Sequence, residues 1–403
     1  MKRVARQGRT DELTRRGAIR SAGAAAAAFL APSSSGAQSA NPLGDLLDGR
    51  PFSADALVDV ARGLAKRPYA APPNDLPDGW ANLPRDRYAT IRANPASFLF
   101  QGENRGVAIE PLHRGFVFTR LVQLFVIEDG RVRRLVYDPS IFDFGRTPPP
   151  PQGLDLAFSG LRLFGDPVDG QNREVATFQG GTFFRAIARA QNYGVTARAL
   201  ALRLAEARGE ETPFFRGIWI ERPPVGANAV NLHGLIDSES ATGVFAATVR
   251  PGDITIIDAQ LTLFARQALD NIGIGVMSGM YLYGPNERRS QDDVRPAVYE
   301  VSGLQMARGN GEWVWRALSN PQNLQISIFG DENPRGFGLL QRTRDPTWFQ
   351  DDDQRLERRP SLWVEPIGDW GAGALQLVEI PSDSDVNKNI VAYWRPKAPM
   401  GIG

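Results

Sequence analysis

The side chains able to do chemistry in this sequence are carboxylates, arginines and tryptophans, because the other reactive types are nearly absent. There is no cysteine, and the only histidines are His113 and His233. That excludes thiolate chemistry, a Cys–His couple and a multi-histidine metal site. No glycine loop of the phosphate-cradling kind is present. Asp351, Asp352 and Asp353 are consecutive, but three acids in a row on a Trp-Phe-Gln loop read as a solvated face rather than a calcium site. Neither metal nor cofactor is expected. Carboxylates by themselves suffice where one protonated acid and one base must flank a bond. The tryptophans are clustered: Trp313, Trp315, Trp348, Trp363, Trp370 and Trp394 are six of the chain's eight. From Arg308 to Pro366 they alternate with arginines, acids and turn signals such as Asn310-Gly311 and Asn333-Pro-Arg-Gly336. Aromatic faces beside Arg and acidic groups suit a polar, ring-shaped ligand with C–H faces to stack on and hydroxyls to bond, and sugar is the obvious candidate. Taken singly, each tryptophan also reads as a core or hairpin residue.

Strands must position these groups. Phe116–Ile127 and Val132–Tyr137, joined at Glu128-Asp-Gly-Arg131, read as a hairpin. Ala229–Leu235, Gly243–Val249, Ile254–Phe264 and Leu324–Phe329 continue the strand pattern. Ser53 caps a short helix over Ala54–Lys66 with Leu57, Val58, Ala61, Leu64 and Ala65 on one side. Ala197–Arg208 has helix-like composition and could be a helix, with strand also plausible for its first half, and Pro148–Pro151 reads as a rigid loop. Many strands and few helices predict an all-β fold.

The 403 residues carry a net charge of +1, but the first forty hold seven Lys/Arg against two acids. Beyond them stand 39 basic and 43 acidic residues, a net charge of −4, which argues against a nucleic-acid partner. Arg15-Arg16 precede a weakly apolar run, Ala22–Ala31, and a small-residue region, Ser33–Ala40. Residues 1–40 therefore read as a twin-arginine-type export signal, with the general secretion route as the alternative because Ala18 stands where that motif usually has an aromatic. Residues 41–403 follow as the functional domain. No run of about 20 apolar residues is found, so no transmembrane span is expected.

The tryptophan block, Tyr283-Gly-Pro-Asn-Glu-Arg-Arg289 and Asn389-Ile-Val-Ala-Tyr-Trp394 resemble the osmoregulated periplasmic glucan biosynthesis proteins G and D. So do Phe158-Ser-Gly-Leu-Arg162, Gly181-Thr-Phe-Phe-Arg185, Asn192-Tyr-Gly194 and Asp237-Ser-Glu-Ser-Ala-Thr-Gly243. The twin-arginine leader places the chain nearer the D type. The resemblance implies a periplasmic location and a large β-sandwich of the galactose mutarotase (supersandwich) kind. It also implies a role in binding a β-glucan backbone and controlling its structure or length, beside a membrane glucan synthase. Relatives continue into a C-terminal immunoglobulin-like domain, which this sequence is expected to lack.

Glucanase members of that family resemble inverting enzymes acting on β-1,2-linked glucan, with one Asp as acid immediately before the Asn-Ile-Val motif. A second Asp, upstream of Arg-Gly-Asn-Gly-Glu-Trp, supplies the base. Here the corresponding positions are Lys388 and Glu300. An ordinary lysine, with a pKa near 10.4, cannot act as that acid. Asp385 or Asp383 on the same loop could take the role, making the protein a β-1,2-glucan hydrolase or transglycosylase with Glu300 in the reaction; the chemistry could differ in linkage; or the protein could bind glucan as a non-catalytic accessory of the synthase. Tyr281, Tyr283, Trp348 and Trp363 are the expected stacking surfaces, and Arg288, Arg289 and Arg359 the expected hydroxyl donors. Each arginine reads equally as a partner of Glu287, Glu357 or a nearby Asp, and Glu365 as a buried partner of one of them. A periplasmic epimerase for small sugars is a third reading, and His113, its histidine candidate on this fold, reads as structural.

Overall fold

A computed structural model describes residues 49–403 except 73–74, 152, 169–170, 286 and 288–292. The expected export signal lies outside the described residues. Within them regular structure is almost entirely strand, as expected for an all-β chain, and no helix is long and apolar enough to cross a membrane.

One sheet has six strands, in the order Ile256–Ala265, Ala241–Arg250, Val230–Asp237, Phe214–Glu221, Gln123–Glu128 and Arg131–Arg134. Strand side chains alternate between faces, and here both faces are apolar because both are covered. Leu124, Val126, Ile218 and Ile220 point into the central core, whereas Phe125, Ile127 and Trp219 point outward under the helix Ala54–Ala65. Phe125 and Trp219 stack at 4.6 Å, and Leu57, Ala61 and Leu64 close over them. Ser53 caps that helix by accepting from the Ala56 amide, as its sequence predicts.

The larger sheet runs Val107–His113, Phe158–Val168, Gln171–Gln179, Phe183–Ala186, Thr196–Arg198, Ile272–Gly279, Ile390–Pro396, Ala372–Glu379 and Gln325–Glu332, with Ala201–Leu202 also pairing to Ile272–Gly279. Register places Phe178, Phe184, Ala197, Met277, Ala392 and Leu377 on one face. Phe178 and Phe184 meet Phe245 and Phe215 of the six-stranded sheet, which makes the sandwich core. Further along that face, Met277, Ala392 and Leu377 pack with Leu304, Met306, Phe337 and Leu339 of a four-stranded sheet. Its strands are Trp313–Ala317, Gly303–Ala307, Gly336–Leu340 and Leu362–Val364. The opposite face of the larger sheet is polar at one end: Glu110, Arg162, Thr177 and Arg185 are direct neighbours across four strands.

Two expectations change. Ala197–Arg208 is not a helix: Ala201 and Leu202 pair with Gly273 and Ile272, and the chain then turns through left-handed Arg203 and Ala205. Helix propensity is worth a few tenths of a kcal/mol per residue, which sheet pairing and full burial of Leu200, Ala201 and Leu202 override. The first hairpin strand begins at Gln123 instead of Phe116, because Gly115 and Phe118 close a turn with Phe116 in the left-handed region.

Candidate functional site

Glu300 and Lys388 are separated by most of the tryptophan block in sequence and are brought together by the ends of three strands. The Glu300 amide donates to the Met280 carbonyl at 2.8 Å, just beyond Ile272–Gly279. Lys388 stands two residues before the strand pairing with it, and Asn389 between them locks that junction by bonding the Tyr281 amide and carbonyl at 2.9 Å each. The Lys388 ammonium donates to the Glu300 carboxylate and, at 3.0 Å, to the carbonyl of Gly194, at the start of Thr196–Arg198. The Glu300 side chain is 7% exposed and that of Lys388 32%. Burial pushes Lys388 below the ordinary lysine range even though the Glu300 charge favours its ammonium form.

The polar row of the larger sheet extends from this pair. Arg92 holds both oxygens of the buried Glu110, at 2.9 and 3.1 Å, and Arg162 bridges Glu110 and Glu174 at 3.1 and 2.8 Å. Thr177 donates to Glu174 at 3.0 Å and meets the Tyr193 hydroxyl at 2.9 Å. The Arg185 guanidinium lies 4.1 Å over the Tyr193 ring, within electrostatic reach of Glu174 and Glu300. Burial lowers the Arg185 pKa and raises that of Glu174. Among the described residues this guanidinium has no hydrogen-bond or ion-pair partner, unlike those of Arg92 and Arg162. Arg359 donates to the Tyr193 carbonyl and adds a second cation near Lys388. The result is a cationic, hydrogen-bonding margin with free donors, not a sealed apolar cavity.

Other expected site residues are placed differently. Asp385 shares Arg295 with Asp293 and Asp351, at 3.1, 2.7 and 2.8 Å, and also accepts from Gln354 at 2.6 Å. Its carboxylate ties three loops together. Asp351 therefore belongs to an ion-pair hub and not to a solvated face, whereas Asp352 and Asp353 are exposed. Asp383 is exposed, and no bond brings it to Glu300. Tyr281 and Tyr283 are buried, 6% and 1% exposed, and offer no stacking face. Arg288 and Arg289 lie outside the described residues. Trp348 is 39% exposed, and Trp363 lies on the outer face of the four-stranded sheet, bonding Glu365 at 3.0 Å. Glu365 is thus a partner of an indole, while Glu357 pairs with Arg355 at 2.9 Å and not with Arg359. A cavity of about 540 Å³, lined by Glu287, Ser319, Asn320, Gln322, Asn323 and Gln325 among others, includes neither Glu300 nor Lys388.

His113 is structural. Its Nδ1 donates to the Arg114 carbonyl at 2.6 Å and its Nε2 accepts from the Tyr137 hydroxyl at 2.8 Å, which fixes the neutral ring. Burial lowers its pKa to about 4. The unfolded ring takes up a proton near pH 6.5 and the folded one does not, so this residue contributes stability above pH 6.5 that is lost as pH falls toward 4. Denaturant titrations of wild type and His113→Gln at pH 7 and 4.5 are expected to differ in pH dependence by on the order of 2–3 kcal/mol. Parallel slopes in the two proteins would refute the neutral-ring assignment.

The sequence was compared with known proteins. Residues 52–403 match the family described as "Periplasmic glucan biosynthesis protein, MdoG". The chain belongs to this family. It is 41% identical over 351 residues to Glucans biosynthesis protein G of Rhodopseudomonas palustris (strain BisA53), which covers 87% of this chain and 70% of that protein. It is likewise 41% identical over 355 residues to Glucans biosynthesis protein G of Shewanella baltica (strain OS155 / ATCC BAA-1091) and to Glucans biosynthesis protein G 1 of Shewanella oneidensis, in each case 87% of this chain and 65% of the relative. The chain thus spans about two-thirds of the length of these MdoG relatives. Sequence reasoning assigned no role to Arg162, Arg185 or Tyr193, although all three sit in motifs that carried the resemblance. The available signal was an arginine recurring inside apolar strand sequence, where a charge needs a partner.

Proposed function

We propose that this MdoG-family protein acts in the periplasm, holding a β-glucan chain along the polar margin of its larger sheet and shaping it without cutting it. The observation that carries this reading is the bond from Lys388 to Glu300. Hydrolysis of a glycosidic bond requires a proton donor for the leaving oxygen and a base for water. At the two positions where the resemblance puts those groups, an ammonium and a carboxylate instead neutralise each other. Asp385, the nearest substitute on the same loop, is held by Arg295 and Gln354. What remains suits binding: the Arg185 guanidinium, which among the described residues has no hydrogen-bond or ion-pair partner, Arg359 and the Tyr193 hydroxyl, all able to bond sugar hydroxyls.

Calorimetric titration with linear β-1,2-glucan, alongside a reducing-end assay, tests both halves of the reading. Binding with no new reducing ends is expected. Arg185→Ala should weaken the affinity about tenfold, the equivalent of one lost charge-assisted hydrogen bond. Turnover by the wild type would overturn the non-cutting half, and unchanged affinity in Arg185→Ala would overturn the placement of the glucan.

A further inference from the structure

The four-stranded sheet has two unlike faces. Leu304, Met306, Phe337 and Leu339 face inward and are almost fully buried. Register puts Trp313, Trp315, Gln305, Gly338 and Trp363 on the outer face. A Cβ on Gly303 would lie 2.0 Å from the Trp315 ring, and one on Gly336 would lie 2.4 Å from the Trp363 ring. The two indoles therefore lie flat against bare backbone, and any other residue at those glycines would lift them. Trp313 runs parallel to Trp363, with 12° between planes and 5.9 Å between centroids, and is 63% exposed. Arg342 sits 5.0 Å over the Trp315 ring and shares its face, and Glu365 bonds the Trp363 indole N–H at the edge of the second ring.

From this we infer a second saccharide-binding surface, the Trp313–Trp315–Trp363 face, which takes a further stretch of the same glucan chain. This rests on the glucan-binding reading above. A saccharide is favoured over a protein because the face is built mostly of indoles, glycines and an amide, with Leu340 at one end as its branched aliphatic side chain, whereas protein interfaces are filled by many such knobs. Rings held flat cost little conformational entropy on binding and present the plane that sugar C–H faces need. Continuity with the margin supports one chain for both: Arg359 and Trp363 are four residues apart, at most about 14 Å along the backbone.

The test is a titration of wild type, Trp313→Ala and Trp363→Ala with short and long linear β-1,2-glucans. Both substitutions should weaken binding of long chains about tenfold, the loss of one stacked ring, and leave binding of short oligosaccharides unchanged. Trp313 is an exposed side chain, so its variant should unfold at the same denaturant concentration as wild type. If long and short chains bind both variants as they bind wild type, this surface is overturned while the glucan reading stands. If glucans of no length bind wild type, both fall. Self-association that is lost in Trp313→Ala, with unchanged glucan affinity, would assign the face to a second copy and overturn the inference.

Discussion

Lys388→Asp is expected to produce cleavage of linear β-1,2-glucan where the wild type shows none, with a gain of about 10²–10⁴-fold, the usual contribution of a positioned general acid. The substitution removes the ammonium that contacts Glu300 and offers a carboxyl on a shorter side chain, which leaves room for a water between the two groups. Two carboxyls facing each other cannot both ionise cheaply, so one retains its proton into a higher pH range while the other stays charged. Arg185 and Arg359, both close enough to act on position 388 electrostatically, favour the charged partner. That inequality is what an acid and base pair needs, and it should appear as a bell-shaped pH–rate profile. Lys388→Ala serves as the control: it breaks the same ion pair without supplying a proton donor and should stay inactive. Activity in Lys388→Ala, or none in a folded Lys388→Asp, would show that the ion pair is not what withholds hydrolysis. Adding Glu300→Gln to Lys388→Asp should abolish the gain; cleavage that survives it would reassign the base.

The second large effect concerns stability. Glu110 is 1% exposed and accepts four hydrogen bonds, two from Arg92, one from Arg162 and one from the Ala93 amide at 3.1 Å. Glu110→Ala would leave the buried Ala93 amide and one end of Arg162 without an acceptor. Breaking a buried ion pair by removing one partner costs about 3–5 kcal/mol. The lower end applies here, because Arg92 is half exposed and Arg162 keeps Glu174. A shift of that size should be plain in the denaturant midpoint. Because Arg162 stands beside Thr177 in register, and Thr177 beside Arg185, the same variant should also loosen the margin proposed to bind glucan. An unchanged midpoint would mean that the polar row is not a structural unit.

The two effects separate what reading the chain in order could and could not reach. The helix over 54–65, its Ser53 cap, the all-β class and the structural role of His113 all follow from local rules: spacing, capping and residue type. The importance of positions 300 and 388 came from resemblance: Glu300 keeps a carboxylate at the first, whereas the lysine at the second already argued against an acid there. No local rule pairs them, since they stand 88 positions apart. The same limit explains Tyr281 and Tyr283, which look like stacking residues in a polar motif. Strand pairing with Tyr299 and Val298 turns them into the core. Asp385 was a candidate because it shares a loop with Lys388, whereas Arg295, ninety residues away, holds it.

The sequence by itself determined the class of the fold, the scarcity of reactive side chains that leaves carboxylates and aromatics to act, and membership of the MdoG family. Only the tertiary structure decided which charges meet. Whether a carboxylate is an acid, a base or half of an ion pair depends on what lies within a few ångströms of it. Register across antiparallel strands, not distance along the chain, sets that neighbourhood.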